Sequence, residues 1–314
     1  MTAPAMETNR PERRPLRVGI QLPEVEREVR WPELLDMVRL VDDAGFDSIW
    51  VGDHLLYRFE DGAAAGPWEC WSLLSAIAAS TTRVEIGPLV AATSFHSPAM
   101  LAKMATTIDE ISGGRLILGL GAGWNETDYR AFGFAYDNRI SRFEEAFTII
   151  RTLLREGAVD FVGRYYEIRD CEILPRGPRP GGPPLLIGSS GERMLSITMP
   201  HADAWNIWYA DFGNAPEGLA PFRARVDAAC LSAGRDPAEV ERTAAVLVQV
   251  GGGRGRRQGD VRAEPPVRGT PEEIAAALRR FAAEGIGHVQ VVLDPITTAS
   301  IEELVPVLEA LDRA

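Results

Sequence analysis

A β-branched apolar run that stops at a proline or glycine, followed by a segment with its apolar residues on one helical face, recurs along this chain. That repetition constrains the fold more than any single motif. The run "LRVGIQLP" (16–23) precedes "PELLDMVRLVDDAG" (32–45), where Leu34, Leu35, Val38 and Val41 share one helical face. In the same way "FDSIWVG" precedes "PWECWSLLSAIAAST", "RVEIGPLV" precedes "SPAMLAKMATTIDEIS", and "RLILGLG" precedes "RISRFEEAFTIIRTLLREG". After Gly157 the rhythm breaks into "VDFVGRYYEIRDCEI" (159–173), two short aromatic-rich segments about Gly163 that predict a hairpin inserted after the fourth helix. Alternation then resumes with "LLIGSS" and "GERMLSITMP", "ADAWNIWY" and "GLAPFRARVDAACLSAG", "RTAAVLVQV" and "TPEEIAAALRRFAAEG", and "HVQVVLD" and "SIEELVPVLEALDRA".

The seventh strand and helix are separated by 251–269, rich in glycine, arginine and proline with nothing to bury, and expected as a mobile surface loop. The seventh helix carries clear start signals: Thr270 as N-cap, Pro271 at the first helical position, then two glutamates. Eight strands alternating with eight helices over about 300 residues predict an α/β fold, a single (β/α)8 TIM barrel over 16–314, with the charged residues 1–15 as a disordered tail. The main rival, an open doubly wound sheet, rarely extends this regularly.

Composition narrows the partner. At 314 residues and 46% hydrophobic the chain can bury a large core. Its net charge of -12 and pI near 5.0 argue against a nucleic-acid surface or an anionic membrane, which need concentrated basic charge. The N-terminal "MTAPAMETNRPERRP" holds no apolar core of the kind a secretory signal needs, and no apolar run approaches the roughly 20 residues of a membrane span. Cys70, Cys171 and Cys230 are far apart and suggest neither a metal site nor a disulfide framework. The expectation is a cytoplasmic protein acting on a small molecule.

A barrel places its chemistry where strands end at their C-termini. Strand 1 ends at Gln21 and Pro23, strand 2 at Asp53 and His54, strand 3 at a loop with Thr93 and His96, strand 4 at Trp124, Asn125 and Glu126, and strand 6 at Trp205, Asn206 and Trp208. After strand 5 comes "IGSSGER" (187–193), which can cradle an anion through glycine-bared N–H groups with Arg193 adding a charge. The same four residues also suit a plain turn with a serine cap, so both readings stay open. "GLGAGW" (119–124) lacks the third glycine of a dinucleotide fingerprint; its glycines would instead admit a flat ring or tight barrel packing. Asp53 and His54 suit acid–base work or ligand hydrogen bonding, with a turn-capping acid as the alternative for Asp53. No metal-ligand spacing and no nucleophile elbow stands out.

The segments "GFDSIWVGDHL", "HSPAMLAKMATTIDEISGGRLILGLGAGWNETDYRAFG", "RFEEAFTIIRTLL", "GRYYEI", "PPLLIGSSGERML", "HADAWN" and "GTPEEIAAALRRFAAEGIGHVQV" resemble, in order, the luciferase-like flavin and deazaflavin oxidoreductases. The resemblance implies a coenzyme ring at the strand C-termini and its phosphate at Gly188, Ser189, Ser190 and Gly191, with Arg193 beside it. It further implies a non-prolyl cis peptide in strand 3 near Pro88–Leu89, so that Leu89, Val90 and Ala91 lie against the ring, with Trp124 and Asn125 facing it after strand 4. The Asp-His pair is similar to the branch using coenzyme F420, in which Asp53 would approach the ring and His54 would serve hydride transfer. Where sugar-phosphate dehydrogenases of that branch carry a glutamate, this chain has Trp124, and Glu126 is the replacement acid considered. The resemblance thus implies an F420-dependent oxidoreductase, with an FMN-dependent monooxygenase and a non-catalytic coenzyme-binding protein as alternatives. The aromatics Trp68, Trp124, Phe132, Trp205 and Trp208 are candidates for an apolar substrate pocket; barrels of the family often pair as homodimers, though no helix of this chain advertises an interface.

Overall fold

Strands covered on both faces need near-continuous apolar runs, and in the computed structural model, which describes residues 14–253 and 264–313, the eight runs become eight parallel strands. These are β1 (Arg17–Gln21), β2 (Ser48–Val51), β3 (Glu85–Pro88), β4 (Leu118–Gly121), β5 (Leu185–Gly188), β6 (Ala204–Ile207), β7 (Glu241–Gln249) and β8 (His288–Asp294). Consecutive strands pair in parallel from β4 to β8, β8 returns to β1, and β1 pairs with β2. The ring closes through β3. Its lower part runs beside β2 and bridges Ile86 to Leu116, while a continuation, Ala91–Ala92, pairs with Leu120 and Gly121 of β4. Between the two parts lies a non-prolyl cis peptide at Leu89–Val90, one residue beyond the expected position.

The helices are α1 (Trp31–Asp43), α2 (Cys70–Ser80), α3 (Pro98–Ser112), α4 (Arg139–Glu156), α5 (Glu192–Thr198), α6 (Ala220–Ser232), α7 (Pro271–Ala283) and α8 (Thr298–Asp312). In α1 the buried face is Leu34, Met37, Val38 and Val41; Met37 rather than Leu35 completes the stripe. At the start of α7 the Thr270 hydroxyl accepts from the Glu273 N–H and the Glu273 carboxylate accepts from the Thr270 N–H, a reciprocal capping box. The inserted hairpin follows α4 as antiparallel strands Ala158–Val162 and Glu167–Glu172. Two elements escaped periodicity: a two-residue-per-strand hairpin, Tyr57–Arg58 with Ala64–Ala65, and a short helix, Glu126–Phe132, between β4 and α4.

Of the expected tail, residues 1–13 lie outside the described residues, whereas Arg14 belongs to the body: it is 7% exposed and paired with Asp47 and Asp312. Most of the expected mobile loop, 254–263, also lies outside them. At the N-terminal end of the barrel, buried Arg17 of β1 pairs with Glu85 of β3 and with Glu241 of β7, the latter at 2.5 Å, tying three strands across the barrel floor.

The glycines of β4 and β5 admit protein rather than open space. A Cβ on Gly119 would lie 2.1 Å from the Pro88 carbonyl oxygen and 2.9 Å from Val90 Cγ1, and Cβ atoms on Gly121 and Gly188 would come within 3 Å of Val90 as well. Val90 therefore occupies the space these glycines leave at the barrel mouth. A backbone oxygen cannot move aside as a side-chain tip can, so Gly119→Ala is expected to destabilise by roughly 1–3 kcal/mol. Urea denaturation checks this, and an unchanged midpoint would contradict it.

Candidate active site

The exit of β2 carries the densest chemistry. Gly52 leaves room for the Glu24 carboxylate, which lies over this backbone from the loop after β1; a Cβ there would sit 1.2 Å from it. Tyr57 stands on the other side of that carboxylate, its hydroxyl 3.4 Å from Glu24 Oε2. Sequence reading of the first strand stopped at Gln21 and Pro23 and missed Glu24.

Asp53 comes next, and it is 4% exposed. Its Oδ2 accepts from the Ala92 N–H at 2.8 Å, which joins the β2 exit to the segment just past the Leu89–Val90 peptide. Burial drives its carboxyl up to about 7, against the Ala92 N–H and the charge of His54. The alternative of a turn-capping acid is thus met in part, since Asp53 bonds a backbone N–H, but one from another strand.

A folded carboxyl held above its ordinary value favours folding at low pH, and that contribution is lost as the pH rises through about 7. Asp53→Asn removes the titration while keeping an acceptor for Ala92. The stability of the variant relative to the parent is expected to rise between about pH 4 and pH 8, by on the order of 4 kcal/mol. Thermal melts of both proteins across that range check it, and a constant difference would contradict it.

His54 is held from the other side of the mouth. Its Nδ1 lies 2.8 Å from Asp128 Oδ2, and Asp128 is completely buried on the short helix Glu126–Phe132. Asp128 Oδ1 accepts from the N–H groups of Leu55 at 3.1 Å and Leu56 at 2.7 Å, and Asn125 donates to Oδ2 at 3.1 Å and to the Leu56 carbonyl at 3.0 Å. Burial pushes the Asp128 carboxyl up, but the hydrogen bonds from His54 and the Leu56 N–H outweigh it and hold the carboxyl below its ordinary value. Burial likewise pulls His54 down, but the Asp128 bond and the charges of Glu24, Asp128 and Asp53 win, leaving the imidazole easier to protonate than usual.

The acid beside His54 is therefore Asp128, missed in the sequence, while Glu126 is exposed at the first position of its helix. The missed signal was "NETD": Asn125 is the N-cap, its Oδ1 accepting from the Thr127 N–H at 3.2 Å, so Asp128 occupies the third helical position. Asn125, expected to face the coenzyme, spends its side chain on these internal bonds. Trp124 is 66% exposed, its ring 5.4 Å from that of His54 and 6.5 Å from that of Tyr57.

After β3, Leu89 and Val90 are half-buried, Ala91 is buried, and His96 ends a 3-10 turn, Thr93–Phe95. Burial holds His96 below its ordinary value, against the Glu69 carboxylate. After β5, Ser189 and Ser190 are half-buried, and a Cβ on Gly191 would meet nothing nearer than Ser189 Oγ at 4.0 Å. The Ser189 carbonyl accepts from Trp205 Nε1 at 2.7 Å, which anchors the loop to β6. Arg193 points away to α4, bonding Ser141 and Glu144 at 3.0 Å. Trp205 is fully buried core, whereas Trp68 and Phe132 are about half exposed. Among the described residues no group of three or more acids, histidines or cysteines is arranged to hold a metal ion, and no helix is long and apolar enough to cross a membrane.

An eight-stranded α/β barrel whose C-terminal mouth gathers two imidazoles and four carboxylates is the class that fold and site define together. A family model described as luciferase-like monooxygenase matches residues 16–264, and the chain belongs to that family. It is 30% identical over 208 residues, 66% of this chain and 57% of the relative, to 5,10-methylenetetrahydromethanopterin reductase of Archaeoglobus fulgidus. It is 32% identical over 207 residues, 64% of this chain and 56% of the relative, to pyrimidine monooxygenase RutA of Cronobacter sakazakii. The chain thus spans little more than half the length of these curated relatives. Among solved structures, an F420-dependent secondary alcohol dehydrogenase in complex with an F420-acetone adduct superposes with a TM-score of 0.79 at 19% identity, covering 94% of this chain and 99% of that one, a likeness of fold.

Proposed function

We propose that the protein is a coenzyme F420-dependent oxidoreductase that moves a hydride between the deazaflavin and a small organic substrate. The observation that carries the reading is the His54–Asp128 pair: an imidazole at the barrel mouth, oriented through Nδ1 by a fully buried carboxylate. With Nδ1 committed, proton exchange with the substrate falls to Nε2, and Asp128 stabilises the charged form. Likeness to a methylenetetrahydromethanopterin reductase and to an F420-dependent dehydrogenase supports the coenzyme.

The residues present fit such a group. Thr93 Oγ1 and Gln21 Oε1 are buried at the strand ends without a protein partner, and the half-buried Ser189 and Ser190 offer hydroxyls beside the open space over Gly191. The coenzyme, when bound, would supply the hydride chemistry. The chain would supply the rest: Gly188 to Gly191 for the phosphate, Leu89 to Ala91 against the ring, and Tyr57 and Trp124 as the rim that excludes water from His54.

The decisive test is titration of the purified protein with F420 and, separately, with FMN, followed by optical absorbance and fluorescence. Tight F420 binding with negligible response to FMN is expected. The reverse would favour an FMN-dependent monooxygenase, the reading to which likeness to RutA points.

A further inference from the structure

His54 and Asp128 do not use all the acid–base groups at the mouth. Asp53 is a buried carboxylate whose ionised form is favoured by the charge of His54, while Glu69 and Asp128 add to its negative surroundings. His54 is already bonded to Asp128. A buried carboxylate so placed needs a proton or a second cation. His96 is the group placed to provide either: its Nε2 is buried without a hydrogen-bond partner, and it lies 3.9 Å from Asp53 Oδ2. The ring is held edge-on against Trp71, 5.9 Å between centroids, at the start of α2.

We propose that Asp53 and His96 form a second acid–imidazole pair that holds one proton between them, with His96 a positioning residue that sets the charge on Asp53. The shared proton resides on His96 Nε2 opposite an ionised Asp53 carboxylate, so the pair is neutral overall. A small rotation of His96 brings Nε2 within hydrogen-bond distance and satisfies its missing partner. The mouth then carries two such pairs with separate duties, His54–Asp128 facing the substrate and Asp53–His96 fixing the field between β2 and the segment after β3. The groups that face the second pair are His54 from the β2 exit, Glu69 and Cys70 from the start of α2, and Asp128 from the short helix.

The purpose assigned here rests on the proposed function, but the test does not, because it is read in coenzyme-free protein. The chain has four histidines, so their ring carbon-bound protons can be followed individually by NMR from pH 5 to pH 9, with His96→Gln and His54→Ala assigning two of the signals. In Asp53→Asn the His96 midpoint is expected to fall by about 1 unit while that of His54 moves much less, as befits loss of one opposite charge at this range. In Asp128→Asn the converse is expected. A His96 midpoint unchanged by Asp53→Asn, or both histidines responding alike to both variants, would overturn the pairing. The coenzyme titration can fail without touching this result.

Discussion

His54→Ala is expected to lower kcat by roughly 10²–10⁴-fold, the usual reach of a positioned acid–base group, while coenzyme affinity changes little. Asp128→Asn should give a smaller loss and a diagnostic one. Without that carboxylate the imidazole loses its bond and its nearest negative charge, so it protonates at lower pH and the pH profile of kcat moves to the acid side. The two changes made together should cost little more than His54→Ala alone, because Asp128 acts on turnover through His54. Steady-state kinetics across pH on the four proteins, with differential scanning calorimetry to confirm folding, checks this. Unchanged turnover in His54→Ala would point to a coenzyme-binding protein without this step.

Arg17→Ala is expected to destabilise by roughly 2–4 kcal/mol, somewhat less than a fully buried pair because both glutamates remain about a quarter exposed. Burial already pushes the Glu85 carboxyl up despite Arg17, and without the guanidinium two carboxylates face each other across the barrel floor. In the variant the Glu85 carboxyl, facing the Glu241 charge without a cation, is held further above its unfolded value, so its protonation supports folding at low pH and that support is lost as the pH rises. The deficit should therefore be largest at neutral pH and shrink near pH 4–5. The triple change Arg17→Met, Glu85→Gln, Glu241→Gln should restore most of the loss. Guanidinium denaturation at both pH values measures it, and a deficit independent of pH would contradict the account.

The barrel was legible because each strand is covered on both faces and each long helix has an apolar stripe, so the period of the sequence changes at every boundary. The cap of α7 and the hairpin after α4 were legible for a similar reason: Thr270, Pro271 and Gly163 act locally. The site was legible only in part. Asp53 and His54 stood out because polar residues end an apolar run. Asp128 and Glu24 did not, because each reaches its partner across a gap that no local pattern encodes; Asp128 is 74 residues from His54. Glu69 caps the start of α2 locally, and only its charge reaches His96. The glycines at 119 and 121 suit either a ligand ring or tight barrel packing by sequence; packing is what the structure shows, and the neighbour that fills the room, Val90, comes from a different strand.

One carboxylate, Asp128, ties down the imidazole, the two peptide groups that follow it and the cap of the helix after Trp124. The aromatic rim at Tyr57 and Trp124 is carried on segments fixed by that single anchor, yet neither ring donates to it. Substrate range can therefore drift, in evolution or in the laboratory, by exchanging rim side chains while the proton machinery stays intact, whereas a change at Asp128 would alter chemistry and pocket shape in the same step.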